Sequence, residues 1–314
     1  MHTVNQSQEA LPSVAIILVN WKSFDVTNDC LTSLKQLNYT NYRVIVVDNG
    51  SKDGSCEKIR NQHPEVVLLP SETNQGFTGG NNIGLRYAIK QQFDYSIMLN
   101  NDTFVEPDFL HILITYMESH PKAGAIQPRI HFHHNRKLLW NGGAYFNKWT
   151  GFASTDGENQ LPKQRHFLVK EVDWLSGCAF LVRNTILAKT GLLSEDFFMY
   201  SEDVDLSFRI KQLHYQLIYH PASVIYHIAG VSNKSATPGK EGYVNPMVHY
   251  YNQRNRLWII KKYTPWYCWP TVIICNFFYL LLVLGYFTAR GRFQKLRAMW
   301  HAIKDGISGG GTGY

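Results

Sequence analysis

The stretch that decides the fold is residues 95–103, Tyr-Ser-Ile-Met-Leu-Asn-Asn-Asp-Thr. Its apolar first half, through Leu99, predicts a short buried strand that ends on polar residues. In an open α/β sheet, ligands bind beyond the carboxyl ends of the strands, and a carboxylate flanked by amides, as at Asp102, suits a cation such as Mg²⁺ or Mn²⁺. Asn-Asn-Asp is also common turn chemistry, and the tripeptide by itself favours a turn. The choice between the two interpretations depends on the rest of the chain.

Two earlier apolar runs, residues 14–20 and 42–48, predict strands that are covered on both faces. A helix with Leu31 and Leu34 on one face is predicted between them. Strand, helix and strand within about 35 residues form a βαβ unit, which implies parallel pairing and an α/β fold. The second strand ends at Asp48, whose carboxylate can accept hydrogen bonds from a nucleoside. An Asx-capped turn is nearly as good an interpretation of this site.

A third apolar run at residues 66–69 is followed by a glycine-rich stretch, residues 74–84, that leads into a predicted helix. Glycines before a helix let backbone N–H groups approach an anion at the helix N-terminus. The stretch matches neither a Walker loop nor G-x-G-x-x-G, so the indication of dinucleotide binding is weak. Polar residues at three strand ends, beside this stretch, favour a nucleotide site over three unrelated turns.

The second half of the chain adds further candidate residues. Residues 171–182 predict a strand that returns to the core, in which Trp174 suits a sugar-stacking platform and a core indole equally well. Glu202 and Asp203 begin a predicted helix; the helix dipole favours acids there, and adjacent carboxylates beside a pocket also suit a general base and its neighbour. His227 ends another predicted strand. A lone histidine is usually structural, although imidazole is a good Mn²⁺ ligand.

Charge is concentrated at the C-terminal end of the chain. The net charge is +7, and from Arg256 onward there are eight Lys/Arg against one acid, which leaves 23 basic and 23 acidic residues before it. A neutral body argues against nucleic-acid binding, because a nucleic-acid partner needs a basic footprint on the folded domain. The five cysteines lack any zinc spacing and, with no signal peptide at the polar N-terminus, predict reduced thiols in the cytosol.

Residues 266–289 contain no charged side chain and have basic residues on both sides. As one helix they would extend about 36 Å, enough to cross a hydrocarbon core of about 30 Å. Basic flanks at both ends give no positive-inside preference, so a helix that lies in or dips into the cytoplasmic leaflet fits better. A buried core helix would leave the charge distribution unexplained. We expect residues 261–314 to be a membrane-associated segment at the cytoplasmic face, peripheral or single-span.

Six motifs follow one another in a recognisable order. They are Val-Asp-Asn-Gly-Ser-x-Asp-Gly at 47–54, Asn-x-Gly-Phe-x-x-Gly-Asn-Asn at 74–82, Leu-Asn-Asn-Asp at 99–102, Trp-Leu-Ser-Gly-Cys-Ala at 174–179, Phe-Phe-Met-Tyr-Ser-Glu-Asp-Val-Asp-Leu at 197–206 and Tyr-His-Ile-Ala-Gly at 226–230. This series resembles the inverting family-2 glycosyltransferases of GT-A fold, most closely their bacterial rhamnosyltransferase branch. The resemblance covers residues 13–260, after a flexible N-terminus at 1–12. It implies a Rossmann-like nucleotide-binding sheet that is continuous with an acceptor-binding half.

The resemblance also implies roles for individual residues. Those that would contact the nucleotide sugar are Asn20, Asp48, Asn74, Gly76, Phe77, Asn81, Asn82, Asn101 and Gly177. Asp102 corresponds to the last Asp of the family's D-x-D metal motif, whose first Asp is replaced here by Asn100, and this removes a charge from the site. His227 matches a histidine that completes the metal shell. Asp203 matches the catalytic base, with Glu202 beside it as support.

The implied activity is transfer of a sugar from a nucleoside diphosphate to a glycan hydroxyl, assisted by Mn²⁺ or Mg²⁺. The resemblance favours dTDP-rhamnose as donor, and the membrane-associated segment suits a lipid-linked acceptor in cell-surface polysaccharide synthesis. Three alternatives stay open. A UDP-sugar can replace the rhamnose donor, a nucleotidyltransferase would release pyrophosphate, and a non-catalytic membrane adaptor would bind nucleotide sugars without turnover.

Overall fold

The polar strand ends lie along one edge of a mixed sheet in a computed structural model, which describes residues 11–230, 234–239 and 241–309. The predicted flexible N-terminus falls outside these ranges apart from residues 11 and 12. The strands are β1 (Val14–Asn20), β2 (Tyr42–Asn49), β3 (Val67–Ser71), β4 (Tyr95–Leu99), β5 (Thr103–Val105), β6 (Ala123–Phe132), β7 (Leu139–Asn141), β8 (Ala144–Asn147), β9 (Phe152–Thr155), β10 (Lys170–Glu171), β11 (Ala179–Arg183), β12 (Gln216–His227), β13 (Lys234–Gly239) and β14 (Gly242–Val244). The helices are α1 (Phe24–Leu34), α2 (Ser55–Gln62), α3 (Gly76–Lys90), α4 (Phe109–Ser119), α5 (Asn184–Thr190), α6 (Glu202–Gln212), α7 (Pro246–Tyr263), α8 (Trp269–Ala289) and α9 (Phe293–Ser308).

The first half of the chain builds a parallel sheet, as its apolar runs predict. β1 pairs in parallel with β2 and with β4, and β2 pairs in parallel with β3. The residues of β1 alternate between two buried clusters, one on each face of the sheet, because helices cover both faces. The predicted βαβ unit is therefore confirmed, and its strands end together at one edge.

The second half extends the same sheet. β11 runs antiparallel to β4, β6 runs antiparallel to β11, and β12 runs parallel to β6. Ten strands of the described ranges form one sheet in the order β10-β12-β6-β11-β4-β1-β2-β3, with β5 on β12 and β7 on β6. Since β4 joins the parallel half to the mixed half, the residues after Leu99 lie where the two halves meet.

The strand predicted over residues 171–182 is wrong in its centre. The structure has β10 and β11 at the two ends and a loop between them. In that loop the backbone N–H groups donate to side chains instead of to a strand: Leu175 to the Ser207 hydroxyl (3.1 Å) and Ser176 to Gln127 Oε1 (2.9 Å). Distant side chains that replace the ladder are not visible in a local sequence pattern.

The glycine-rich stretch has a packing role that differs from the expected one. Its glycines lie inside α3 and not before it. A Cβ on Gly80 would lie 2.8 Å from Val19 Cγ1, and one on Gly84 would lie 2.5 Å from Ile17 Cγ2. These two positions therefore let α3 approach β1 closely, which no larger residue would permit.

The C-terminal helices pack against one another and against the domain. α7 runs to Tyr263, so the predicted boundary at residue 260 falls inside a helix. α9 returns along α7 and buries Ala298, Met299 and Ala302. Residues 266–289 form one segment long and apolar enough to cross a membrane, of which 17% is buried against the protein.

Candidate active site

A chain of hydrogen bonds links the carboxyl ends of β2, β1 and β4. Asn20 Nδ2 donates to Asp48 Oδ1 (2.7 Å), and the Thr27 hydroxyl donates to Asn20 Oδ1 (2.8 Å). Asn101 Nδ2 in turn donates to the Thr27 hydroxyl oxygen (2.8 Å). The Ser51 hydroxyl also donates to Asp48 Oδ1 (2.6 Å). The network fixes the Asp48 carboxylate at the sheet edge where the sequence predicts a nucleoside.

The start of α3 is held against the loop that precedes α6. Asn74 Oδ1 accepts hydrogen bonds from Asn49 Nδ2 (3.0 Å) and from the Gly76 N–H (2.8 Å). Gly76 has φ +70°, and a Cβ there would lie 2.3 Å from the carbonyl oxygen of Phe198. That same oxygen accepts the Thr78 N–H (3.3 Å). The helix N-terminus is thus covered by protein, which corrects the expectation that its N–H groups face an anion.

Three asparagines expected to line the nucleotide are buried and bonded to other parts of the protein. Asn20, Asn81 and Asn82 are at most 2% exposed. Asn81 Nδ2 donates to the Phe77 carbonyl (2.9 Å), and Asn82 Nδ2 donates to the Leu193 carbonyl (2.9 Å). The amides of Asn81 and Asn82 thus satisfy backbone carbonyls, whereas the Asn20 amide bonds to the Asp48 side chain.

Asp102 and His227 come together although they are 125 positions apart. β12 pairs with β5, and this register places His227 opposite Thr103. Asp102 Oδ1 and His227 Nε2 are 3.0 Å apart, and Asn100 Nδ2 lies 3.2 Å from the same nitrogen. Burial alone would lower the pKa of His227, but Cys178 and Asp102 raise that pKa to about 10. The two side chains therefore interact directly, and a cation that bound between them would displace any proton on Nε2.

This pair has the chemistry of a divalent-cation site. Two neighbouring ligands of an octahedral ion, each about 2.1 Å from it, are about 3.0 Å apart. The Asp102 and His227 atoms have this separation, and a carboxylate with an imidazole suits Mn²⁺. No group of three or more His, Cys, Asp or Glu side chains within the described ranges could hold a metal. Such a cation would therefore need further oxygens from water or substrate phosphates, as Mg²⁺ and Mn²⁺ sites commonly do.

Asp203 lies next to this pair and is held by backbone donors. Its Oδ2 accepts the Gly177 N–H (2.8 Å), and its Oδ1 accepts the Val204 N–H (2.8 Å). The carbonyl of Cys178, the next residue after Gly177, accepts the Asn100 N–H (2.9 Å). One short segment thus connects the carboxylate of Asp203 to the end of β4. Burial raises the pKa of Asp203 despite the lowering effect of the two N–H groups.

Glu202 is the more deeply buried neighbour. Burial and the adjacent charge of Asp203 raise the pKa of Glu202 well above its usual value. Its Oε2 has no hydrogen-bond partner within the described residues. Burial therefore favours the protonated form more strongly in Glu202 than in Asp203.

Residues of α7 that the sequence did not single out hold the approach to Asp203. Asn255 Nδ2 donates to the carbonyls of Met199 (2.8 Å) and Tyr200 (2.7 Å). Tyr200 and Ser201 both have positive φ, 69° and 67°, which non-glycine residues rarely adopt. Such strained backbone persists only where its surroundings enforce it, and here the fully buried Asn255 does so. The available signal was a run of polar residues, 253–256, inside a helix.

A second clamp from the end of α7 reaches α6. The Asp205 carboxylate is fully buried and accepts hydrogen bonds from Lys262 Nζ (2.6 Å), the Tyr263 hydroxyl (2.6 Å) and Arg209 Nε (2.8 Å). Its pKa is lowered because these partners outweigh the effect of burial.

Trp174 lies in the same region. Its indole N–H donates to the Tyr145 carbonyl (3.1 Å), and its ring packs with the apolar side chains there.

Comparison with known proteins assigns the chain to a family. The model described as "Glycosyl transferase family 2" matches residues 13–191. A hexosyltransferase of low-salt glycan biosynthesis, Agl10 of Haloferax volcanii, is 28% identical over 67% of this chain and 66% of its own length. N-acetylglucosaminyl-diphospho-decaprenol L-rhamnosyltransferase of Mycobacterium tuberculosis is 26% identical over 72% of this chain and 77% of its own length.

Solved structures show the same fold. A mannosyltransferase of Pyrobaculum calidifontis, determined with GDP-mannose and Mn²⁺, superposes with a TM-score of 0.58 at 13% identity. The match covers 95% of this chain and 88% of that protein. The mixed sheet is therefore that of the GT-A glycosyltransferases, as the motif order predicts.

Proposed function

Because the chain belongs to glycosyl transferase family 2, we propose that it transfers one sugar, with inversion, from a nucleoside-diphosphate donor to a glycan hydroxyl. The observation that carries this proposal is the Gly177–Cys178 segment, which bonds Asp203 on one side and the end of β4, next to the Asp102–His227 pair, on the other. A base and an anion-neutralising site side by side are what a displacement of diphosphate requires.

In the proposed reaction Asp203 takes the proton from the acceptor hydroxyl as that oxygen attacks the anomeric carbon. The bond from this carbon to the diphosphate oxygen breaks, and its electron pair leaves with the nucleoside diphosphate. One displacement on the opposite face inverts the anomeric centre. Burial and the charge of Asp203 favour the protonated form of Glu202, which limits the negative charge beside Asp203. A divalent cation held by Asp102 and His227 would neutralise charge on the departing diphosphate.

The proposed donor is dTDP-rhamnose and the proposed acceptor is a glycan on a lipid carrier at the cytoplasmic face of the membrane. The rhamnosyltransferase named above, whose name specifies a diphospho-decaprenol acceptor, supports both assignments. The exposed apolar segment at residues 266–289 supports the membrane location. Asp48 and Asn74 are the proposed contacts to the nucleoside. Phe77 and Gly177 are the proposed contacts to the sugar, since Gly177 lies beside both Phe77 and Asp203.

The test measures turnover of dTDP-rhamnose and of several UDP-sugars by the purified full chain, with Mn²⁺ or Mg²⁺ present. We expect acceptor-dependent release of dTDP from dTDP-rhamnose with a polyprenyl-diphosphate-linked N-acetylglucosamine, and an inverted anomeric centre in the product by NMR. Release of UDP from a UDP-sugar would agree with the proposed mechanism but would exclude dTDP-rhamnose as the donor. Pyrophosphate as product would indicate a nucleotidyltransferase. Nucleotide-sugar binding without turnover of any donor would favour the adaptor.

A further inference from the structure

The outer faces of α8 and α9 form an extended apolar surface. On α8 the exposed apolar residues are Ile273, Ile274, Phe277, Phe278, Leu281, Leu282 and Tyr286. On α9 they are Phe293, Trp300 and Ile307, spaced by seven residues and therefore on one side of the helix. Monomeric soluble proteins rarely expose a continuous apolar patch of this extent. Ten side chains of this kind in two adjacent helices call for a covering partner.

The inner side of α8 is attached to the catalytic domain along its whole length. At its start, Cys268 and Val272 pack with Ile260 of α7. At its centre, Asn276 Nδ2 donates to the Thr150 carbonyl (2.9 Å). At its end, the buried ring of Phe287 contacts His249 at the beginning of α7 (ring centroids 5.1 Å apart). A helix of 21 residues, about 32 Å long, is thus laid lengthwise against the domain.

The centre of this attachment is polar and specific. Arg256 of α7 donates from Nη1 to Asn276 Oδ1 (2.5 Å), and its guanidinium stacks over the rings of Phe152 and Tyr279 (4.6 and 4.4 Å). Burial lowers the pKa of Arg256 to about 10. Moving α8 away from the domain would leave this guanidinium buried without its amide partner, which is costly.

The position of α9 is a second argument against a crossing of the bilayer by α8. If α8 crossed a bilayer, α9 would emerge on the far side from α7. Instead α9 lies on α7: Gly306 meets Leu257, since a Cβ at Gly306 would be 2.7 Å from Leu257 Cδ1. The Tyr250 hydroxyl also donates to Asp305 Oδ2 (2.7 Å). Both ends of α8 are therefore on the same side as the catalytic domain.

The charges beside the apolar surface identify its partner. Arg297 and Lys304 are exposed on α9 next to Trp300, and Arg290 is exposed at the end of α8. Trp266 is 82% exposed before α8. Basic side chains together with exposed tryptophans at the borders of an apolar face suit the interface of an anionic bilayer.

We propose that α8 and α9 lie in the plane of an anionic membrane, immersed from one side, and that α8 does not span the bilayer. The inner face of α9 packs with Met199 and Tyr200, just before the candidate base Asp203. This seating holds the catalytic loop within about one helix diameter, 10 Å, of the lipid surface. For the acceptor the consequence rests on the proposed function: a sugar on a lipid carrier reaches Asp203 without leaving the membrane surface.

The first experiment measures flotation of the full chain with vesicles, without any sugar nucleotide, so that its result does not depend on the proposed activity. We expect binding to vesicles with 30% phosphatidylglycerol, weaker binding to phosphatidylcholine alone, and at least a tenfold loss in the Phe278→Asp/Leu282→Asp variant. Leu161→Asp/Leu168→Asp changes two equally exposed apolar residues outside α8 and α9 and should bind as the natural chain does. A dimer in solution that fails to bind vesicles would overturn the proposal, because a second copy would then be the partner.

The second experiment distinguishes an in-plane helix from a crossing one. Nitroxide is attached to Ile274→Cys, Phe278→Cys or Leu282→Cys in a background with Cys56→Ser and Cys275→Ser, and its depth is read from relaxation by oxygen and by a nickel chelate. We expect equal depths at the three positions. A depth that changes by about 12 Å between residues 274 and 282, the rise of eight helical residues, would show a crossing helix and overturn the proposal.

Discussion

The two sides of the candidate site are stabilised in different ways. On the nucleotide side, Asp48 is held by Asn20 and Ser51, which follow or end neighbouring strands. On the acceptor side, the loop before Asp203 is held by Asn255, which lies in a helix 52 positions later. The nucleotide side is therefore built from the strand ends themselves, whereas the acceptor side depends on α7. The comparison indicates that changes on the first side should act on donor binding, and changes in α7 on turnover.

Among the variants that test the two sides, the largest effect is expected from loss of the proposed cation site at Asp102 and His227. Asp102→Ala removes the carboxylate partner of His227. We expect Mn²⁺ affinity to fall by about 100-fold or more, because even groups around a metal ligand contribute 10–100-fold. Titration calorimetry with Mn²⁺ measures this directly. The matched control is Asp108→Asn, which changes an acid elsewhere in the chain; unchanged Mn²⁺ affinity in Asp102→Ala would contradict the assignment.

A smaller effect on turnover is expected from loss of Asn255 in α7, which holds the loop before Asp203. Asn255→Leu removes the donor for the Met199 and Tyr200 carbonyls and lets the strained loop relax. We expect kcat to fall about tenfold, corresponding to about 1.4 kcal/mol, with the donor Kd unchanged. Asn252→Leu is the control, since this exposed asparagine donates only to the Val248 carbonyl of its own helix. A raised donor Kd with unchanged kcat in Asn255→Leu would break the comparison.

The converse variant on the nucleotide side should behave in the opposite way. Asn20→Ala removes one hydrogen bond to Asp48 and leaves the Thr27 hydroxyl without its acceptor. We expect the donor Kd to rise several-fold, because a lost hydrogen bond that positions Asp48 costs about 1 kcal/mol of binding free energy. The value of kcat at saturating donor should be unchanged. Isothermal titration with the donor and steady-state kinetics separate the two quantities. Equal effects on Kd and kcat would mean that the two sides are not independent.

The pH dependence of kcat gives a further test of the acceptor side. Burial raises the pKa of Asp203, and a base acts only when deprotonated. Activity should therefore be lost, as the pH falls, at a higher pH than an ordinary aspartate would give. The acid limb of the kcat profile between about pH 3 and 9 measures this. An acid limb at or below the usual aspartate pKa of about 3.9 would exclude Asp203 as described here.

The smallest effect is expected at Asn100, where the family motif carries an acid. Asn100→Asp places a second carboxylate beside His227 Nε2, 3.2 Å from the present amide nitrogen. The added charge should tighten Mn²⁺ binding a few-fold while leaving nucleotide-side variants unaffected. Calorimetry at fixed pH tests this, and weaker Mn²⁺ binding would mean that Asn100 does not face the cation.

The sequence predicted the parallel half of the fold because buried parallel strands appear as uninterrupted apolar runs, as at residues 14–20 and 42–48. Asp102, His227 and Asp203 could be proposed because motif order indicated them, and the structure brings them into one region. The sequence failed at residues 172–178, where backbone N–H groups bond to Ser207, Gln127 and Asp203 and not to a strand. Local patterns cannot reveal partners that only the folded chain brings together.

The sequence also failed to indicate the role of Asn255 in α7, for a related reason. Asn255 lies in a helix whose polar residues point to all sides, so no periodicity separates a buried amide from an exposed one. The asparagines of α3 show a similar limit, since the motif that contains Asn81 and Asn82 did not reveal that both are buried. In both cases the missing information is burial, which depends on tertiary packing.

The central claim is that Asp203 is the base of a transfer reaction, and the most direct measurement compares Asp203→Asn with the natural chain for donor binding and turnover together. We predict an unchanged donor Kd and a fall in kcat of about 10²–10⁴-fold, the range for loss of a general base. The control is Glu158→Gln, since Glu158 is exposed and lies far along the chain from the motif at 197–206. This variant should leave both quantities unchanged. Turnover retained within a few-fold in Asp203→Asn would contradict the account.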